Sequence, residues 1–155
     1  MQISELDSAD VLKLDNQLCF AIYTSSRLMT RAYAPLLEKF GLTYPQYLVM
    51  LVLWEFPEMG VQQLGEKLFL DSGTLTPLLK RLESKDLVKR TRSGDDERKV
   101  LVTLTDAGLA MKADIVEVPV ALYHKSCMSG GEISQLKSEL ASLIAKLSGL
   151  SKCAT

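Results

Sequence analysis

Leu70-Asp71-Ser72-Gly73-Thr74-Leu75-Thr76-Pro77-Leu78-Leu79-Lys80-Arg81-Leu82-Glu83 is the stretch on which the reading of this 155-residue chain turns. Leu75, Leu78, Leu79 and Leu82 recur at the three-to-four spacing of an amphipathic helix. Asp71 or Ser72 can cap it, so a helix is predicted from there to about Lys85. A shorter helix is predicted just upstream, from Val61 to about Leu68 behind Gly60, and two short helices joined by a tight turn form a helix-turn-helix unit. Downstream, Leu87 to Arg92 and Lys99 to Thr105 alternate Val, Leu and Thr with polar residues around the turn-forming Ser93-Gly94-Asp95-Asp96-Glu97. That pattern predicts a two-stranded hairpin with a charged tip. One local rule is broken: Pro77 falls at the fifth or sixth position of its helix, where an amide proton is normally used, and the turn carrying Ser72, Thr74 and Thr76 is expected to open slightly there.

Working outward, Leu18, Ile22, Ser25, Met29, Ala32, Leu36 and Phe40 mark a long amphipathic helix after a polar arm from Met1 to Lys13. Asp15 is its expected N-cap, Gly41 its stop, and Pro35 a point where it bends or splits. If Asp15 is the cap, Cys19 is the fourth residue of the helix. Thr43-Tyr44-Pro45-Gln46 reads as a capping box with proline in the first turn, opening a richly apolar and so largely buried helix that ends near Phe56. Thr105-Asp106 caps a helix to about Lys125, interrupted at Pro119. Beyond a flexible Ser129-Gly130-Gly131 segment, Ile133, Leu136, Leu140, Leu143, Ile144 and Leu147 mark a last helix.

With 47% hydrophobic and 24% charged residues, the length suits one ordinary globular domain spanning 1–155. The net charge of -1 excludes a polybasic protein, but it hides an asymmetry: residues 80–99 carry eight basic and five acidic side chains, a net +3, which leaves -4 elsewhere. No basic segment followed by an apolar run opens the chain, and no apolar run approaches the roughly 18 residues of a membrane span, so a soluble, cytoplasmic protein without membrane contact is expected. Cys19, Cys127 and Cys153 are too few and too scattered for a disulfide framework or a zinc site, and no metal or cofactor is expected.

Helix, helix, helix, strand, strand, with positive charge concentrated on the last short helix and the hairpin, is the order a winged helix-turn-helix requires. The helix can enter a major groove and the loop beside it a minor groove. On these residues alone, a solvated helix face and an ordinary hairpin stay open as the alternative. The stretch from Leu70 to Glu83, with Leu87-Val88-Lys89-Arg90, Asp96-Glu97-Arg98 and Leu104-Thr105-Asp106-Ala107-Gly108, closely resembles the recognition helix and wing of the MarR family over essentially the whole chain. The resemblance implies a mainly α fold with a small β-hairpin: a winged lobe at about 44–105, and helical dimerisation regions at about 10–40 and 106–150. The implied partners are a second copy of the chain and double-stranded, pseudo-palindromic operator DNA. The implied DNA-binding residues are Ser72, Thr74, Thr76, Pro77, Lys80, Arg81, Arg92, Asp96 and Arg98, with Arg98 in the minor groove and Asp96 orienting it. Asp86 departs from the glycine common just after the family's recognition helix, and must take up a left-handed cap itself or end the helix differently.

A lone cysteine on an apolar helical face is usually inert packing. Here Asn16-Gln17-Leu18-Cys19-Phe20, with Tyr23, Tyr33 and Tyr44, resembles the sensing segment of the organic hydroperoxide resistance regulators, a MarR subfamily. That resemblance implies a redox-sensing Cys19 held by the hydroxyls of Tyr33 and Tyr44, with Tyr23 packed nearby, an organic hydroperoxide as oxidant, and Cys127 as a resolving thiol; Cys153 is expected to be a bystander. Tyr33 lies fourteen residues beyond Cys19, about 21 Å along a continuous helix, so such a contact requires two subunits. The competing expectations are a repressor released by a small aromatic ligand, a thiol peroxidase, and a purely architectural DNA-binding protein.

Overall fold

The computed structural model describes residues 8–92, 94 and 99–150, and the chain divides into two compact units, Met1–Val118 and Pro119–Thr155. The first unit opens with a helical turn, α1 (Ser8–Val11), and a 3-10 turn (Leu14–Asn16), inside what the sequence reads as a polar arm. α2 (Leu18–Glu38) follows, with Gln17 in the N-cap position and Asp15 taken up in the 3-10 turn. Cys19 is therefore the second residue of the helix, not the fourth. Pro35 does not split α2. Gly41 stops it as expected: at φ 64, it lets the Leu42 N–H reach back to the Leu37 carbonyl at 3.2 Å.

α3 (Tyr44–Glu55) starts with the predicted box, the Gln46 side chain accepting from the Thr43 N–H at 3.0 Å. It buries Val49, Met50, Leu53 and Trp54, and the Trp54 indole donates to the Gly108 carbonyl at 2.9 Å, satisfying the one polar atom that this ring brings into the core. β1 (Glu58–Gly60) comes next, and the sequence reading lacks it. Three residues after a proline carry no alternation; antiparallel pairing with β3, Glu58 opposite Thr103 and Gly60 opposite Leu101, is what makes them a strand. The hairpin expected from sequence is thus two-thirds of a sheet ordered β1-β3-β2, with β2 (Val88–Arg92) and β3 (Val100–Leu104) in the register Val88 opposite Leu104.

Between β1 and β2 lie α4 (Val61–Leu68) and α5 (Ser72–Ser84). Phe69 turns the chain between them at φ 55, and the Leu70 N–H closes α4 on the Gly65 carbonyl at 2.9 Å. Gly65 is required there, since a Cβ would stand 2.7 Å from the Leu70 oxygen. Pro77 is the sixth residue of α5 and does not break it. An interior proline costs about 3 kcal/mol, but Leu75, Leu79 and Leu82 are fully buried, each side chain stabilising the fold by about 1.5–3 kcal/mol; burial wins.

Thr105 caps α6 (Asp106–Ile115), its hydroxyl accepting from the Gly108 N–H at 3.0 Å. The interruption expected at Pro119 falls instead at Val116, before α7 (Glu117–Ser126). A proline ring collides with the carbonyl four residues earlier, here that of Ile115, the last residue of α6.

In the second unit, Cys127 follows α7 at φ 54, and α8 (Gly130–Leu150) takes in Gly130 and Gly131 and begins on a reciprocal cap. Ser129 donates to Glu132 through its amide at 2.8 Å and its hydroxyl at 2.7 Å. Among the described residues, no helix is long and apolar enough to cross a membrane, and no group of side chains could hold a metal ion.

Candidate nucleic-acid interface and thiol site

α5 divides cleanly. Leu75, Leu79 and Leu82 face the core, while Ser72, Thr74, Pro77, Lys80 and Arg81 are exposed and Thr76 half-buried. Asp71 is the N-cap, its carboxylate accepting from the Thr74 N–H at 2.8 Å and the Thr74 hydroxyl at 2.9 Å. These bonds hold the Asp71 carboxyl below its ordinary range, the backbone bond contributing most. The Thr76 hydroxyl donates to the Ser72 carbonyl at 2.7 Å. Two of the three hydroxyls on the expected reading face therefore spend their proton inside the helix, and present oxygen lone pairs outward. Arg92 is exposed at the end of β2. Asp96 and Arg98 lie outside the described residues.

The far end of α5 is a junction. Asp86 takes the left-handed conformation itself, at φ 56, and the Leu87 N–H reaches back to the Leu82 carbonyl at 3.1 Å. The Thr105 hydroxyl donates to the Asp86 carbonyl, so the cap of α6 also supports the end of α5. Gly108 permits this approach, since a Cβ there would sit 2.1 Å from the Leu87 oxygen. Lys85 donates to the Gly41 carbonyl, tying the helix end to the corner between α2 and α3. Glu83 accepts from three donors of Arg90: the backbone N–H at 3.0 Å on one oxygen, Nε at 2.9 Å and Nη2 at 2.5 Å on the other. Those bonds hold the Glu83 carboxyl below the usual range.

Cys19 is exposed in the first turn of α2. Tyr23, one turn on, is exposed, and its hydroxyl accepts from Arg27 Nη1 at 3.3 Å while that guanidinium lies 5.4 Å over the ring. Tyr33 and Tyr44 are brought together, with ring centroids 4.8 Å apart, and sequence reasoning missed a third member: Tyr47 lies 5.8 Å from Tyr33 and 6.4 Å from Tyr44. Its signal was the three-residue spacing from Tyr44 on a buried helix. Burial raises all three hydroxyls above their ordinary value, with a smaller contribution from tyrosine neighbours at Tyr33 and Tyr47, and Tyr47 is pushed up to about 12. All three are protonated donors at neutral pH. Because α2 is unbroken from Leu18 to Glu38, the fourteen residues from Cys19 to Tyr33 span about 21 Å, and one helix cannot bring the two together. Cys127 is exposed in the second unit, and Cys153 lies outside the described residues.

Residues 31–115 match the family model described as the transcriptional regulator SarA/Rot. The organic hydroperoxide resistance transcriptional regulator of Bacillus subtilis (strain 168) is 51% identical over 138 residues, covering 89% of this chain and 94% of its own. Reduced AbfR bound to DNA is similar at a TM-score of 0.73 and 41% identity, over 86% of this chain and 93% of that one; AbfR is a protein of Staphylococcus epidermidis. Its disulfide-formed state is similar at 0.62 and 42%, over 84% and 92%. A cysteine-to-serine mutant of MarR from E. coli, complexed with operator DNA, is similar at 0.75 and 26%, over 81% and 92%.

Proposed function

The chain belongs to the winged-helix transcriptional regulators of the MarR and SarA/Rot type, among the organic hydroperoxide resistance regulators, and on that premise we propose that it is a repressor released from its operator when an organic hydroperoxide oxidises Cys19. The observation that carries the reading is an exposed Cys19 in the first turn of α2, in a chain 51% identical to a hydroperoxide resistance regulator over nine-tenths of its length. The protein acts as a stoichiometric switch in the cytoplasm, not as a turnover catalyst.

A homodimer places one α5 in each of two successive major grooves, so the operator is pseudo-palindromic, with half-sites about one turn apart. Ser72, Thr74, Thr76, Pro77, Lys80 and Arg81 meet the major groove. Arg92 meets the backbone, and the family resemblance assigns Arg98, oriented by Asp96, to the minor groove. Tyr33 and Tyr44 donate to the Cys19 sulfur of the other subunit, and being protonated they favour its thiolate.

That thiolate attacks the terminal peroxide oxygen. The O–O bond breaks, the alcohol leaves with the proton, and the sulfur becomes a sulfenic acid; the Cys127 thiol then displaces water to form a disulfide. A disulfide needs its two alpha carbons within roughly 7 Å. Forming it reshapes the start of α2 and moves the winged lobes out of register, which is the difference in state that any switch requires.

A gel-shift titration tests this with cumene hydroperoxide and hydrogen peroxide, on wild type and Cys19→Ser. Release of wild type by the organic peroxide at lower dose, and none from the variant, is expected. Release of a variant lacking every cysteine by a phenolic ligand would instead establish the small-aromatic-effector reading.

A further inference from the structure

The eight basic residues of the segment 80–99 are not equivalent. Lys80, Arg81, Lys89 and Arg92 are exposed, whereas the Arg90 side chain is only 26% exposed and is turned onto Glu83. Both oxygens of that carboxylate are used, one by the Arg90 backbone amide and the other by Nε and Nη2. We propose that Glu83 and Arg90 are positioning residues for DNA recognition, a clamp that fixes the angle between α5 and the wing, and that Arg90 makes no contact with nucleic acid. The proposal rests on the DNA-binding reading above.

The geometry carries it in three steps. First, Glu83 is in the last turn of the reading helix and Arg90 in the middle of β2. The bonds thus bridge the two elements that enter neighbouring grooves, across a connection containing the left-handed Asp86. Second, the backbone bond fixes where β2 lies and the side-chain fork fixes its rotation. A freely exposed ion pair would constrain neither, but charge-assisted, sheltered bonds in a planar fork do. Third, a strand rises about 3.3 Å per residue, so an angular error at Arg90 grows along the hairpin toward the residues that reach DNA. The alternative is a phosphate contact by Arg90. It would require breaking two charge-assisted bonds and leaving a half-sheltered carboxylate beside a polyanion.

The test uses the full-length reduced protein and a duplex that the wild type enriches from a random pool. Affinity and hydroxyl-radical footprints are measured for wild type, Glu83→Gln, Arg90→Gln, Arg90→Lys and the double Gln variant, with thermal midpoints in parallel. Each single change is expected to weaken binding about tenfold. The double variant should lose no more than the worse single, and protection should fade over the segment covered by the wing while that under α5 persists. Arg90→Lys is decisive even if Glu83→Gln folds poorly, because it keeps charge and stem and removes only the fork. Wild-type affinity in Arg90→Lys, or losses that multiply in the double variant, would overturn the clamp and make Arg90 an ordinary phosphate contact. A wild type that enriches no duplex sinks the DNA-binding reading itself, and the clamp with it.

Discussion

Asp71, Glu83 and Glu132 are carboxylates at helix ends, and each is held below its ordinary range by donors that need it charged: Thr74 for Asp71, Arg90 for Glu83 and Ser129 for Glu132. Because the folded values are depressed, the stabilisation is fully present above the unfolded carboxylate values of about 4 and is lost as pH falls through the lower folded ones. The thermal midpoint should therefore decline as the protein is acidified below about pH 4, and the decline should be shallower in Asp71→Asn and in Glu83→Gln; identical acid profiles in wild type and both variants would contradict it. The Asp71 bond was legible in sequence, since an N-cap and its amide lie three residues apart. The Glu83 bond was not, because its partner sits beyond a helix end whose direction depends on Asp86 accepting a left-handed backbone. At Tyr47 the sequence offers only a third tyrosine near two others, and packing alone puts the three rings together.

Apart from Pro45, which sits in the first turn of α3, three prolines lie inside helical segments, and their different outcomes show what an element can absorb. Pro77 loses to the buried leucines of α5, and Pro35, in the last turn of α2, leaves that helix unbroken to Glu38 although its ring faces the Arg31 carbonyl. Pro119 alone coincides with a break, because the carbonyl its ring strikes is that of Ile115, where α6 stops. Pro119→Ala should let α6 and α7 join. An interior proline is about 3 kcal/mol less favourable than alanine, so amide exchange across residues 115–120 should slow and far-UV helical signal rise. Unchanged exchange there would mean that something other than the ring ends α6. The sequence identified Pro119 as the culprit and misplaced the damage by three residues, since a proline acts backward along the helix.

At the scale of the molecule, Leu136, Leu140 and Ile144 on α8 are 46%, 38% and 48% exposed, and Leu18, Leu28 and Met29 on α2 are more than 49% exposed. Apolar rows of this kind on long helices fit burial in a subunit interface. Sedimentation at micromolar concentration should find a dimer, Leu140→Glu should shift it toward monomer, and operator affinity should fall in step; a wild type that sediments as a stable monomer would end the two-fold model. The sequence by itself determined the longer helices from α2 onward, most of their caps, the hairpin and the polar face of α5, though not the short turns before α2, because each follows from contacts within a turn or two of chain: an apolar period, a cap and its amide, a proline or glycine at a defined offset. Only the tertiary structure decided that residues 58–60 form a strand, that Arg90 turns inward and that Tyr47 completes the aromatic cluster. Each depends on groups brought together from separate elements, which a linear pattern does not record.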